Sequence, residues 1–169
     1  GEEHFAVLIG DGTESDTPLV RLHSQCITGD ILGSLKCDCG DQLHAAMQLM
    51  ADSNGGILVY LAQEGRDIGL LNKMRAYALQ DSGLDTVDAN HALGFHTDER
   101  LFMPAARILQ ALDVSKIQLI TNNPDKISQL EQYGIDVTAR VPLAIDTNPH
   151  NHNYLKTKKT RTGHLIEKI

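Results

Sequence analysis

No apolar stretch in this chain approaches the roughly 20 residues that a membrane span requires, so the sequence offers no spanning segment and no membrane partner. Nor is there an excess of positive charge. With 15 Lys and Arg against 22 Asp and Glu, the net charge is −7 with histidine neutral, which argues against nucleic acid as a partner. An anionic small molecule remains compatible, because a local pocket can be basic in an acidic protein. Tryptophan is absent, and we find no internal repeat, low-complexity tract or linker. The opening Gly1-Glu-Glu-His4 is polar and acidic and does not read as a signal peptide. It also lacks an initiator Met, so the chain is expected to be trimmed, processed or a piece of a longer one. Cysteine is scarce as well. The chain has three, all between Cys26 and Cys39. An odd, clustered set without a secretion signal is not a disulfide framework, and a reducing, cytoplasmic setting is expected.

What is present fits one domain of 169 residues with a real core. Phe5–Ile9, Pro18–His23, Ile57–Leu61, Lys116–Ile120 and Ile135–Val137 read as strands. A helix is expected from about Asp41, with Leu43, Ala46, Met47 and Met50 on its apolar face. Further helices are expected over Leu71–Gln80, after Thr97–Arg100 with Ile108, Leu109 and Leu112 inward, and after Thr121–Lys126. The segment from Asp146 onward reads as polar and irregular, with a basic cluster over Lys156–Arg161. Strands alternating with helices predict an α/β fold of mixed α+β layers, a single domain whose central mixed sheet is flanked by helices.

Cys37-x-Cys39 puts two thiolates on one short loop, and Cys26 can return to them. Three protein ligands leave a tetrahedral zinc ion one open position for water, whose ionisation near neutral pH makes a hydrolytic nucleophile. The alternative is three reduced, partly buried thiols. His23 precedes Cys26 by three residues and is read as a hydrogen-bonding neighbour, not a ligand; the histidines show no metal spacing of their own.

Other segments leave two readings each. Gln63-Glu-Gly-Arg66 suits a base or phosphate at the end of a strand, or is a solvated loop. Thr121-Asn-Asn-Pro-Asp-Lys126 offers free backbone N–H groups, a hydroxyl and an ammonium at a strand-to-helix junction, or is plain capping. It is not a GxxxxGK[ST] loop, which excludes that type of ATPase. Asp98-Glu-Arg100 is a candidate base beside a cation or a solvated charge run, and Tyr77 alone reads as helix packing.

Taken together, the motifs resemble GTP cyclohydrolase II, the first committed enzyme of riboflavin synthesis. The likeness is carried by Arg21-Leu-His-Ser-Gln-Cys-Ile-Thr-Gly-Asp30, Gly33-Ser-Leu-Lys-Cys-Asp-Cys-Gly40, Gln63-Glu-Gly-Arg-Asp-Ile-Gly-Leu-Leu-Asn-Lys73, Arg75-Ala-Tyr-Ala-Leu-Gln-Asp81, Asp85-Thr-Val87, Asp98-Glu-Arg100, Thr121-Asn-Asn-Pro124 and the closing Lys156-x-Lys158 with Gly163-His-Leu165. It implies that the imidazole ring of GTP is opened, with release of formate and pyrophosphate, to give 2,5-diamino-6-ribosylamino-4(3H)-pyrimidinone 5′-phosphate. It implies one catalytic zinc on Cys26, Cys37 and Cys39, with Mg²⁺ on the triphosphate. The positions matching GTP contacts are Arg21, Leu22, His23, Ser24, Gln25, Gln42, Glu64, Gly65, Arg66, Thr86, Thr121 and Lys126. Asp98 and Arg100 match a proton acceptor and a nucleophile, and Tyr77 matches an active-site tyrosine. A homodimer is implied, as is possible fusion to or association with another riboflavin-pathway enzyme. On this resemblance, residues 1–169 form one catalytic domain lacking an N-terminal strand that the family usually has ahead of Gly1.

Three positions depart from the family pattern. Gln25 stands where Glu is usual, Ala62 where Arg is usual, and Leu101 where Asp is usual. These departures keep a second reading open, a paralogue that binds GTP but processes it partly or only regulates. A third reading, a zinc-stapled interaction module, would need a fourth ligand and would leave the loops at Glu64–Arg66 and Thr121–Lys126 unexplained.

Overall fold

Short apolar runs bounded by glycine and turn residues become the strands of one five-stranded sheet in the computed structural model, which describes residues 2–166. β1 (Phe5–Ile9), β2 (Leu19–Ser24), β3 (Gly56–Leu61), β4 (Lys116–Ile120) and β5 (Asp136–Val141) lie in the order β1-β3-β2-β4-β5. β1 runs antiparallel to β3, pairing Phe5 with Tyr60 and Ile9 with Gly56. The contacts β2–β3, β2–β4 and β4–β5 are parallel. The sheet is therefore mixed, as expected, and its antiparallel strand lies at an edge.

β2 is central and covered on both sides, so side chains of both its faces are buried. Alternation sends Val20 and Leu22 into the larger core cluster, with Ile57, Val59 and Leu61 of β3 and Ile117 and Leu119 of β4. Helices α5 (Met103–Ala111) and α6 (Pro124–Gln132) cover that face through Phe102, Ala105, Ala106, Leu109 and Leu130. A smaller cluster joins Ala46 and Met50 of α1 (Cys39–Asp52) to Ile120 and Leu143. Arg21 and His23 project toward this second face and are buried there, although both are polar.

Chain order positions the site. From β2 the chain passes through α1 to β3 on one side of β2, and after β3 it returns to β4 on the other side. From β4 it passes through α6 to β5, further out. Connections leaving β2 and β4 in opposite directions open a crevice at the carboxyl ends of those strands. The segments that follow Ser24, Leu61 and Ile120 all meet there.

Several expectations shift in detail. α1 begins at Cys39, and Met47 is exposed, while Leu49 packs against the inner cluster in its place. β5 extends to Val141. The Gln63–Gly69 loop contains a kinked helical turn, α2 (Glu64–Asp67), ahead of α3 (Gly69–Asp81). Two helices were not expected. α4 (Thr86–Ala92) is capped by Asp85, whose carboxylate accepts from the N–H groups of Val87 and Asp88. α7 (His152–Arg161) turns the supposedly irregular tail into an ordered wall.

Candidate active site

The loop between β2 and α1 is folded by a single buried-facing carboxylate. Asp30 accepts from the Cys26 backbone N–H at 3.0 Å and from the Tyr60 hydroxyl at 2.7 Å, and its other oxygen lies 2.9 Å from His23 Nε2. His23 is thus committed to Asp30, as its reading as a neighbour implies, and burial pushes its pKa down. Held this way, the chain makes one π-helical turn over Ile27–Ile31 and carries Cys26 back toward Cys37 and Cys39. All three sulfur atoms lie within 4.8 Å of one another.

This group fits a zinc ion. Zn–S bonds of about 2.3 Å in a tetrahedron place sulfurs about 3.8 Å apart, and Cys26 Sγ and Cys37 Sγ are 3.7 Å apart. The cradle admits no side chain at Gly29. A Cβ there would lie 2.9 Å from Cys37 Sγ and 3.2 Å from Cys26 Sγ. Among the thiols, hydrogen bonding from Cys37, then Cys39, and the Lys73 ammonium push Cys26 toward thiolate against the effect of burial. The same sharing pushes Cys37 and Cys39 upward.

At the end of β3, Gly65 (φ 64°) and Arg66 (φ 62°) take left-handed backbone conformations, which turn Glu64 inward and Arg66 along the cleft. Arg66 Nη1 donates to the Thr97 carbonyl at 3.0 Å. The Glu64 carboxylate accepts from the Ile27 N–H at 2.7 Å, from Lys73 Nζ at 2.7 Å and from the Gly65 N–H at 3.1 Å. Lys36 and Lys73 approach the Tyr77 ring at 5.3 and 5.7 Å, and burial raises the Tyr77 pKa, so its hydroxyl stays protonated at neutral pH.

Across the crevice the groups are cationic. Arg21 donates to the Ile120 carbonyl at 3.1 Å and to Gln42 Oε1 at 2.5 Å, while its buried Nε has no partner among the described residues. Burial lowers its pKa to about 10, which leaves it charged at neutral pH. Gln42 donates to Asp38 at 2.5 Å, and Asp38 pairs with Lys158 of α7 at 2.7 Å. Lys126 is buried and donates to the Leu22 carbonyl at 2.7 Å. Burial, and then the charges of Arg21 and Arg100, push its pKa well below the ordinary value. Arg100 grips Asp98 through Nε at 2.8 Å and Nη2 at 2.5 Å, and donates to Ser24 Oγ at 3.1 Å. Burial opposes both charges, yet this bidentate pairing holds the Asp98 carboxyl below its usual range and raises Arg100.

These groups enclose a solvent-open cleft with about 1050 Å³ of empty space. Arg21, Arg66, Lys73, Arg100, Lys126 and Lys158 line it, and among the described residues Glu64 is the one carboxylate in its wall. In a chain of net charge −7, this is a cationic pocket beside a cysteine cluster that could hold a metal ion.

A protein-family model described as GTP cyclohydrolase II matches residues 1–142. The chain belongs to the GTP cyclohydrolase II family. It is 53% identical over 167 residues to the GTP cyclohydrolase-2 of Hamiltonella defensa, covering 99% of this chain and 85% of that protein. It is 52% identical over 166 residues to the GTP cyclohydrolase-2 of Azospirillum brasilense, and here it covers 98% of itself but 43% of the relative. The riboflavin biosynthesis protein RibBA of Cytophaga hutchinsonii is 51% identical over 168 residues, of which the chain spans 42%. The chain thus spans less than half the length of two of these relatives.

Within this GTP cyclohydrolase II fold, the three cysteines, Arg21, His23, Ser24, Gln25, Gln42, Glu64, Gly65, Arg66, Tyr77, Thr86, Arg100, Thr121 and Lys126 all line the one cleft. Two named positions stand back from it. Leu22 is fully buried in the core and reaches the site through its carbonyl to Lys126. Asp98 lies behind Arg100, which it orients. Of the departures from the family pattern, Gln25 lines the cleft, whereas Ala62 does not; its N–H donates to His4 Nδ1 at 3.0 Å.

Sequence reasoning gave no site role to Lys73, Asn90, Tyr154, Lys158 or His164, which also line the cleft. Lys73, Lys158 and His164 each belong to one of the matching motifs and had that signal. Lys158 and Tyr154 sit on the unexpected α7, which follows a turn where the Asn148 side chain accepts from the N–H groups of His150 and Asn151. His164 follows it. Burial and the nearby Lys158 push His164 down to about 3, so it is neutral in the site.

Proposed function

We propose that the protein hydrolyses GTP as a GTP cyclohydrolase II, releasing formate and pyrophosphate to give 2,5-diamino-6-ribosylamino-4(3H)-pyrimidinone 5′-phosphate, the first step of riboflavin synthesis. The observation that carries this reading is the joining of a three-thiolate cradle and a cationic wall in one cleft. Zinc held by Cys26, Cys37 and Cys39 would supply a water of lowered pKa at its open position.

The protein's own groups provide recognition and charge. Guanine differs from adenine in presenting N1–H and an amino group side by side, and Glu64 can accept a hydrogen bond from that edge. A carboxylate has about four acceptor positions; Ile27, Lys73 and Gly65 use three, which leaves one on Glu64 for the base. Tyr77, protonated, is a donor beside the thiolates. Thr86, Gln25, His23 and Gly65 complete the enclosure of the nucleoside.

At the other end, Arg21, Lys126, Ser24 and Thr121 receive the phosphates with Mg²⁺, and Arg66 adds charge. Arg21 Nε and the depressed ammonium of Lys126 both gain from an anion there. Arg100 is assigned to stabilise charge at the α-phosphate as the anhydride bond to pyrophosphate breaks. A guanidinium whose pKa is raised is a weak nucleophile, and Asp98, held anionic by the pair, is a weak base at neutral pH. Two hydrolytic steps at C8 open the imidazole ring and remove that carbon as formate.

The family also implies a homodimer in a cytoplasmic setting, which suits three free thiols; among the described residues no helix is long and apolar enough to cross a membrane. The deciding experiment incubates the protein with GTP, Zn²⁺ and Mg²⁺ and follows formate, pyrophosphate and pyrimidine absorbance. Formate and pyrophosphate together are expected. Pyrophosphate without formate would favour the partial-processing paralogue that Gln25 keeps open, and neither product would refute the proposal.

A further inference from the structure

We infer that Lys73 is a positioning residue that couples the metal centre to recognition of the purine. The inference rests on the proposed function, since it assigns the metal to the cysteines and the base to Glu64. Lys73 is 8% exposed, and its ammonium has three donors. All three are used: Cys26 Sγ at 3.0 Å, Thr28 Oγ1 at 2.9 Å and Glu64 Oε1 at 2.7 Å. No donor remains for substrate, so Lys73 is not a binding residue in its own right. It sits between a metal ligand and the carboxylate meant for the base.

The surroundings make this bridge stiff. Glu64 Oε2 accepts from Ile27, the residue after Cys26, so the carboxylate is tied to the metal loop twice. Gly29 N–H also donates to Cys26 Sγ at 3.4 Å. A metal that fixes Cys26 Sγ therefore fixes the Lys73 ammonium, which fixes the orientation of the Glu64 carboxylate. A base that engages Glu64 meets a group already ordered, and binding costs less conformational entropy. By linkage the effect is reciprocal: nucleotide must tighten metal by the same factor.

The test reads metal affinity, not turnover. Zinc binding is measured by chelator competition on the intact protein, in excess Mg²⁺, with and without a saturating GTP analogue carrying a methylene between the α and β phosphorus atoms. In the wild type the analogue is expected to tighten zinc about tenfold, inside the range of known couplings. In K73M the ratio is expected to fall to one, while K73R, which restores the charge, regains part of it. A wild-type ratio of one overturns the inference. So does a ratio that K73M retains, which would mean that metal and base communicate by direct contact. If K73M does not fold, T28V decides: removing one Lys73 acceptor should lower the ratio, and an unchanged ratio overturns the inference. Failure of the wild type to bind zinc, or the analogue, appears before any ratio is formed; it refutes the proposed function and this inference with it.

Discussion

The two ends of the cleft are built on opposite plans. At the cysteine end most polar groups are paired with one another: Asp30 with His23, Tyr60 and Cys26, and Lys73 with Cys26, Thr28 and Glu64, although the buried Nδ1 of His23 finds no partner among the described residues. At the phosphate end charge is left in want of a partner. Arg21 Nε has none among the described residues, and Lys126 has a carbonyl where a buried ammonium would gain more from an anion. Folding brings the groups of the first end together and leaves them for a metal to fix, and the second is short of negative charge, which a polyanion would supply. On the proposed function, affinity for the triphosphate would come from the second, and the geometry of the first would be fixed by metal.

The largest test of that contrast removes a ligand from the cysteine end. Cys37→Ser is expected to reduce formate release to background and lower zinc stoichiometry, while some pyrophosphate release persists, since Arg100 and Lys126 are untouched. Equal loss of both products in a coupled assay would erase the division between the two ends.

Lys126→Met probes the phosphate end. Hydrogen bonds to charged groups are worth about 1.5–3 kcal/mol, so KM for GTP is expected to rise about 10- to 100-fold, with the ligand-free protein no less stable by thermal melting. A clear loss of melting temperature would mean that the ammonium is well satisfied without an anion. The pH dependence has a fixed sign. The folded pKa of Lys126 lies well below 10.5, so the ammonium loses its proton first in the folded protein. Raising the pH through that folded value therefore stabilises the ligand-free protein and weakens phosphate binding. Lys126→Met should flatten both slopes, read by melting and by tripolyphosphate affinity across a pH series below 10.5.

A smaller effect is expected of Gly29→Ala. Crowding Cys37 and Cys26 sulfur should cost about 1–3 kcal/mol of stability, as overpacking does, and weaken zinc retention against a chelator. The smallest effect is reserved for Ala62→Arg, which restores the usual family residue outside the cleft wall. KM is expected to change by no more than about twofold, the scale of an ordinary surface substitution. A large gain would show that the charge acts from a distance.

The sheet and the cysteine end were legible because their signals are local. Ile57–Leu61 and Lys116–Ile120 are apolar runs with clear stops, and the cysteines sit within one short segment. Thr121–Lys126 was legible as a strand-to-helix junction, and Asn123 does cap α6 by accepting from the Asp125 N–H. Met47 was misassigned because helical spacing alone does not say where the sheet ends. α7 left no apolar period to find: only Leu155 and Lys158 of its residues are buried, and one of them is a lysine. Its order depends on Asp38, 120 residues earlier, and on the Asn122 carbonyl that receives the Leu165 N–H at 2.8 Å.

By itself, the sequence determined the family, the strand and helix alternation, the three sulfur donors and most of the residues that face the cleft, because each of these is written in types and spacings along a short stretch. Tertiary structure alone decided that Asp98 stands behind Arg100, that Leu22 contributes a carbonyl, that Lys73 spends every donor on Cys26, Thr28 and Glu64, and that a polar tail returns to wall the site. Those facts depend on which groups remain unpaired once distant segments meet, and pairing of buried charge is a property of the assembled interior, not of any segment read alone.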